Sequence, residues 1–261
     1  MKATAYTAII GAYDTLKKQP RTGDEFVAYF SGKARRASPW KIVKSQLDLG
    51  RNVLTAKWYK MMPHRLFPGS DYTLWMDGSV KMTAGLGIVE LAERYMKDAD
   101  ILLFKHHKRT CLYDEAIEVI SQKLDKNTIV YEQVFDYTRD GYPVNNGLVE
   151  ATVLLRRNNK AVNEFNELWW QEVNRYSVRD QISFNYLAQK TGIKIAYFPG
   201  TIGDNANELF RKYPHKGRPK ILDTRFVKQA AVLIDRAEGR IGSAIRKKTP
   251  NVYSFLKKYH R

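Results

Sequence analysis

Asp77 ends the aromatic-rich run Tyr72-Thr73-Leu74-Trp75-Met76 and is followed by Gly78, which puts a carboxylate at the carboxyl end of a buried strand, where open α/β sheets bind ligands. Such an acid can reach a ribose hydroxyl, or a divalent cation bridging a diphosphate, because oxygen ligands suit hard cations. The competing reading is a turn aspartate bonded to its own backbone. An acid-x-acid pair is missing: the second position is Ser79, a poorer cation ligand.

Gly11-Ala12-Tyr13-Asp14 follows the first apolar run, so a nucleotide base could approach the backbone there, with Tyr13 stacking on it and Asp14 accepting from it. Glycine turns of this kind also occur where no nucleotide binds. Lys57, Lys60 and His64, with Arg65 beside them, share a helical face by their spacing and could grip phosphates; a solvated basic face is the simpler alternative. His106, His107 and Arg109 follow the strand-like run ending at Phe104, and adjacent histidines are poor metal-ligand spacing, which favours acceptor or phosphate contacts. Arg179-Asp180-Gln181 opens another helical pattern. Asp180 there is either a helix-terminal carboxylate or a group facing a reacting sugar, as base or charge stabiliser, with Gln181 holding a sugar hydroxyl. Of the adjacent Trp169 and Trp170, one belongs in the core and the other can form a platform.

The elements that must hold these residues alternate between strand and helix. Strands are expected near residues 6–11, 26–30, 40–43, 72–76, 101–104, 150–156 and 193–198. Helices are expected over 55–66, 87–96, 113–124, 160–176 and 179–191. This is the pattern of a layered α/β sheet. No G-x-G-x-x-G and no G-x-x-x-x-G-K-[ST] occurs, which disfavours dinucleotide and P-loop chemistry.

The 261 residues are 44% hydrophobic and 27% charged, which excludes a disordered or disulfide-stapled chain. Cys111, the single cysteine, cannot form an intrachain bridge, and a cytoplasmic location is the default expectation. No window approaches the roughly 18 uninterrupted apolar residues of a membrane span. The formal charge of +17 attracts polyanions, anionic lipid or phosphorylated small molecules. Residues 218–261 carry twelve Lys or Arg against three acids and so nine of the excess charges, with Phe226, Ala230, Leu233, Ile234, Ala237, Ile241 and Ile245 at helical spacing. A basic amphipathic helix there suits the inner membrane face or covers the catalytic body. The division expected is a domain over 1–205 and a basic helical extension over 206–261. Nucleic-acid binding is the rival function class, supported by charge and tyrosines but by no motif.

Five separated motifs occur in one order: Arg65-Leu66-Phe67-Pro68, Tyr72 through Asp77, Tyr113-Asp114-Glu115-Ala116, Gly147-Leu148-Val149-Glu150-Ala151, and Trp169 through Glu172 to Arg179-Asp180-Gln181-Ile182-Ser183-Phe184. Together they resemble the TOD/MUCI glycosyltransferase-like family over residues 6–200. The resemblance implies a GT-A (Rossmann-like) mixed sheet flanked by helices, and a nucleotide-sugar donor, a UDP-sugar by preference, passing its sugar to a glycan or lipid-linked acceptor. It maps Asp77 and Ser79 onto a degenerate acid motif, and Lys60 and His64 with His106 to Arg109 onto basic positions near the donor. It maps Arg179-Asp180-Gln181 onto the late motif, and Glu150 onto the acceptor or phosphate side. His215-Lys216-Gly217-Arg218-Pro219-Lys220 is similar to a closing segment, in which His215 would join Asp77 on Mn2+ or Mg2+. The family also contains a ceramide-hydrolysing member, so hydrolysis on the same fold stays open.

Overall fold

The computed structural model describes residues 1–32 and 36–215; the expected basic helix of 218–261, with Lys216, Arg218 and Lys220, lies outside the described residues. The strands are β1 (Ala3–Ile9), β2 (Glu25–Phe30), β3 (Lys41–Lys44), β4 (Tyr72–Met76), β5 (Val80–Met82), β6 (Ile101–Lys105), β7 (Val149–Arg157), β8 (Ile195–Tyr197) and β9 (Phe210–Lys212). The helices are α1 (Asn52–Met61), α2 (Pro63–Leu66), α3 (Ile88–Tyr95), α4 (Leu112–Ser121), α5 (Asn127–Arg139), α6 (Lys160–Arg175) and α7 (Asp180–Thr191). Seven strands form a mixed sheet in the order β3-β2-β1-β4-β7-β6-β8, with β7 antiparallel to both neighbours, and β5 pairs with β9 in a small second sheet.

The sheet is sandwiched. β1 is buried along its whole length because alternate side chains enter different cores: Tyr6 and Ala8 pack on the face covered by α1, α4, α6 and α7, while Ala5 and Ile9 pack on the face covered by α3. Parallel strands covered on both faces read as continuous apolar runs, which is why β1 and β4 show little alternation. Asn159 caps α6 by accepting from the Val162 amide at 2.8 Å, and Gly192 ends α7 in the left-handed conformation.

Three differences from the sequence reading have physical causes. Pro63 cannot continue the i→i−4 ladder of α1, so the expected helix over 55–66 is two helices that meet at Met62. α5 has apolar residues too sparse to stand out as a stripe, yet Val130, Val134 and Tyr137 bury one face of it. β9 lies beyond residue 205 and pairs with β5, so the folded body continues past that expected boundary, as far as His215 in the described residues.

The topology opens a crevice at one sheet end. β1 and β4 are adjacent and parallel, so the segment after Ile9 and the Asp77 turn emerge side by side. β7 runs the other way and starts at that end. Its register with β6 jumps from Leu103↔Leu154 to Phe104↔Glu150, a bulge that re-aims the start of β7 beside the Asp77 turn. The Asp77 amide donates to the Thr152 carbonyl at 2.9 Å.

Candidate functional site: a charged cleft at the sheet edge

A cleft of about 590 Å3 opens at this edge, and Gly11, Tyr13, Asp14, Lys57, Lys60, Asp77, Glu150, Arg179, Asp180, Gln181 and His215 all line it. Residues up to two hundred positions apart in sequence meet there. Its floor comes from the ends of β1 and β4 and the beginning of β7, and its walls from α1, the start of α7 and the segment after β9.

Two glycines make the floor possible. Gly11 has φ of +72°, and a Cβ there would lie 2.1 Å from Asn52 Nδ2, at the start of α1. A Cβ on Gly78 would lie 2.8 Å from Ile9 Cδ1 and 3.4 Å from Asp14 Cβ, so the Asp77 turn packs directly against the β1 segment.

The dominant charge cluster is built on Asp180. Lys57 Nζ and Lys60 Nζ approach its Oδ2 at 2.6 Å and 2.5 Å, and Lys60 and Asp180 are both buried. The solvated basic face is therefore not what α1 presents: Lys60 is only 3% exposed. Burial alone would raise the Asp180 pKa, but the two lysines overcome it and hold the carboxyl well below the usual range. Burial lowers Lys57 to about 8, against the attraction of Asp180 and with the repulsion of Lys60 adding to the effect. Asp180 occupies the first turn of α7 without capping it through its side chain. Trp169, fully buried, donates from Nε1 to the Asp180 carbonyl at 3.1 Å, while Trp170 is partly buried against the same core. Gln181 donates to the Val149 carbonyl at 3.0 Å, which fixes its side chain at the cleft wall.

Behind this cluster sits Arg156 on β7, 1% exposed, which the sequence reading did not single out. Its guanidinium donates to the Tyr6 hydroxyl, to the Lys60 carbonyl at 2.7 Å and to Asn166 Oδ1 at 2.9 Å. A cation against the last carbonyls of a helix is favoured by the helix dipole, so Arg156 fastens the end of α1 that carries Lys60. Its signal in sequence is an arginine directly after the apolar run Val153-Leu154-Leu155, where charge is expensive unless satisfied.

The opposite wall is organised around Glu150, which is also buried. Lys212 Nζ donates to Oε1 at 2.6 Å, and His107 Nδ1 lies 3.2 Å from Oε2. Lys212 arrives on β9, so its role was illegible without the strand pairing. His106 Nδ1 accepts from the Lys108 and Arg109 amides at 3.2 Å and 3.0 Å. Burial, then Arg109, lower His106 to about 4, so it is neutral at pH 7 with its proton on Nε2. Arg109 pairs with the buried Glu115, its NH2 nitrogen at 2.6 Å from Oε2, whereas Arg179 reaches the same carboxylate only at 4.0 Å.

Some expected site residues lie elsewhere. His64, with Arg65, pairs with Glu167 at 2.8 Å and does not line the cleft. Ser79 is fully buried, without a hydrogen-bond partner for Oγ, and is not part of the lining. His106, His107 and Arg109 stand behind Glu150 and Glu115 instead of lining the cavity. His215 does reach the site, but Nδ1 meets Asp14 Oδ2 at 2.8 Å, and its ring lies 5.0 Å from that of Tyr13.

The residues offered to a divalent cation fit it in part. Asp77 Oδ1 accepts from Trp75 Nε1 at 2.8 Å and Ser79 is turned into the protein body, whereas His215 meets Asp14 through Nδ1, an arrangement that leaves Nε2 as the ring's ligand nitrogen. His106, His107 and Glu150 bring ligand-type atoms within 4.8 Å of one another. His106 has no free nitrogen lone pair, however, because Nδ1 accepts amides and Nε2 carries the proton, and Lys212 holds one oxygen of Glu150. Among the described residues no complete set of ligands assembles.

Residues 9–212 match the model of a family described as TOD1/MUCI70, glycosyltransferase-like domain. The chain belongs to this family. A TOD1/MUCI70 relative from Arabidopsis thaliana, "Probable hexosyltransferase MUCI70", is 30% identical over 148 residues, which cover 52% of this chain and 25% of that protein. "Alkaline ceramidase TOD1", also from Arabidopsis thaliana, is 19% identical over 175 residues, 61% of this chain and 37% of the relative. The chain thus spans about a quarter to a little over a third of these curated relatives. Among solved structures, a glycosyltransferase involved in glycosylation of the major capsid of PBCV-1 aligns with TM-score 0.46 and 10% identity, over 89% of this chain and all of the other. The bifunctional glycosyltransferase WbbM aligns at 0.44 and 10% identity, over 76% of this chain and 39% of that one.

Proposed function

We propose that this TOD1/MUCI70 chain is a GT-A type glycosyltransferase that takes its sugar from a nucleotide-sugar, a UDP-sugar by preference, and passes it to a glycan or lipid-linked acceptor. The observation that carries the reading is the shared cleft: the turn after β1, the Asp77 turn and the Lys57–Asp180–Lys60 cluster all face one cavity. Glycosyl transfer needs a seat for the nucleotide, positive charge for the departing diphosphate and a fixed place for the acceptor oxygen.

Tyr13 and Asp14 serve the base and Asp77 the ribose hydroxyls. The bond between the anomeric carbon and the diphosphate oxygen breaks with its electron pair going to that oxygen, the acceptor oxygen bonds to the carbon, and the acceptor hydroxyl's proton passes to the departing diphosphate oxygen. Asp180, held below the usual carboxylate range, is a weak proton acceptor, so its part is to anchor the two lysines and offer negative charge to the electron-poor anomeric carbon. Gln181 holds a sugar hydroxyl beside it. Glu150 faces the acceptor hydroxyl, and Arg179 the acceptor or a phosphate oxygen.

Calorimetric titration with UDP, GDP and CMP checks the donor seat. Binding of one nucleotide in the micromolar range, weakened in Asp77→Asn, is the expected result; no binding to any of the three removes the reading.

A further inference from the structure

We infer that Asn52 reads the edge of the donor's base: its carboxamide pairs with the adjacent C4 carbonyl and N3–H of a uracil ring, while Tyr13 and Val53 cover the ring's faces. The inference rests on the nucleotide-sugar reading above and adds a residue that the reading leaves out. A base is a flat ring with apolar faces and a polar edge, so its seat needs apolar surface beside a matched donor and acceptor. The apolar surface is present at one end of the cleft. Tyr13 and Val53 are large hydrophobic side chains left 50% and 39% exposed, and both line the cavity. They stand on two segments that touch, for Tyr13 closely follows Gly11 and Val53 is the neighbour of Asn52 at the start of α1. A Cβ on Gly11 would fall 2.1 Å from Asn52 Nδ2 and 2.8 Å from its Cγ, so the carboxamide fills the space that a larger residue at position 11 would take. The bare backbone of Gly11 thus admits the amide to the turn that leads to Tyr13.

The polar edge needs a group that both donates and accepts. Asp14 can only accept, and both of its oxygens are engaged, Oδ1 by the Thr15 amide and Oδ2 by His215, each at 2.8 Å. It therefore shapes the turn beneath the base. Two carboxamides line the cleft, those of Asn52 and Gln181, and Gln181 is fastened to the Val149 carbonyl. The Asn52 side chain has no hydrogen-bond partner among the described residues. It offers Nδ2–H to the C4 carbonyl and Oδ1 to N3–H, two bonds made side by side. Lys57 and Lys60 follow on the same helix, about 8 and 12 Å further along its axis at 1.5 Å per residue. α1 thus presents an amide and then two ammonium groups, the order in which a nucleoside diphosphate carries its base and its phosphates.

Calorimetric titration of the full chain decides it, with UDP and with the pyrimidin-2-one analogue of UDP, which keeps the ribose and diphosphate but lacks the C4 carbonyl and N3–H. The native chain is expected to bind the analogue about tenfold more weakly than UDP, the effect of losing two neutral hydrogen bonds. Asn52→Ala is expected to bind UDP about tenfold more weakly than the native chain does, and to bind the two ligands within about twofold of each other. Asn52→Asp puts an acceptor where the C4 carbonyl needs a donor, and is expected to bind UDP more weakly still. Asn52 is exposed, so both variants should melt within about 2 °C of the native chain. Equal weakening of UDP and the analogue in Asn52→Ala would move the residue to the ribose or the phosphates and overturns the inference, as does native-like UDP affinity in either variant. A native chain that binds GDP or CMP but not UDP also overturns it, while the nucleotide reading stands. A native chain that binds none of the three overturns both.

Discussion

The two walls of the cleft solve the problem of a buried carboxylate differently. On the wall made by α1 and α7, Asp180 receives two ammonium groups on one oxygen, both within 2.6 Å. On the wall made by β7 and β9, Glu150 receives one ammonium on one oxygen and a histidine on the other. The first arrangement leaves positive charge over and suits an incoming anion. The second is close to balanced and suits a neutral partner such as a hydroxyl. In a medium of low dielectric, that single extra cation matters more than the number of surface charges elsewhere on the chain.

The contrast is tested hardest by removing the carboxylate that holds the crowded wall together. Asp180→Ala leaves two lysines without their shared anion, one of them fully buried, and breaking a buried pair in this way costs about 3–5 kcal/mol. We expect a clear drop in melting temperature and loss of turnover; a variant with unchanged melting and full activity would dissolve the distinction between the walls. For comparison, Asp180→Asn keeps the shape and separates loss of charge from loss of packing.

Next in size is a pH effect particular to Lys57. Its pKa of about 8 in the folded chain lies below the ordinary lysine value of 10.5 because burial disfavours the charged form. Between those values the unfolded chain binds more protons, so the Lys57 contribution makes the fold more stable as pH rises from 8 to 10.5. Affinity for UDP should fall over the same interval as the cluster loses its surplus charge. Melting curves and titrations between pH 7 and 10, compared with Lys57→Met, would show the two trends diverging in the native chain alone. Parallel trends would sink this account of Lys57.

A smaller effect is expected on the balanced wall. Glu150→Gln removes one charge-assisted hydrogen bond to the partly exposed Lys212, worth about 1.5 kcal/mol, or roughly tenfold. The loss should fall on transfer to an acceptor and spare donor hydrolysis; equal loss of both would place Glu150 on the donor side. Smallest of all is Ser79→Ala. It deletes a buried hydroxyl with no partner, so stability should rise by up to about 1 kcal/mol and UDP affinity should not change. Weakened UDP binding in that variant would return Ser79 to the site.

Much of the scaffold was legible because apolar patterning is a local property. Runs such as Tyr72 to Met76 and Glu150 to Arg156 announce buried strands, and Asp77 announces a ligand edge, because a polar residue directly after an apolar run must sit where the sheet stops. The spacing of Lys57 and Lys60 placed them on one face, but their burial was hidden, since nothing in α1 names the acid that α7 brings to them from 120 residues away. His64 shares that face by the same spacing and was grouped with them. Met62 and Pro63 break the helix between them, and His64 turns to Glu167 instead.

The chain's sequence thus determined most of its larger elements, the residue types at the sheet edge and its family, because periodicity, turn chemistry and ordered motifs are written in neighbouring residues. Tertiary structure alone decided which charges meet: that Asp180 takes two lysines, that Glu150 takes Lys212 from a strand beyond the expected domain boundary, and that Ser79 faces inward. Pairing energies depend on distance and dielectric, and both are set only when segments remote in sequence are packed against one another.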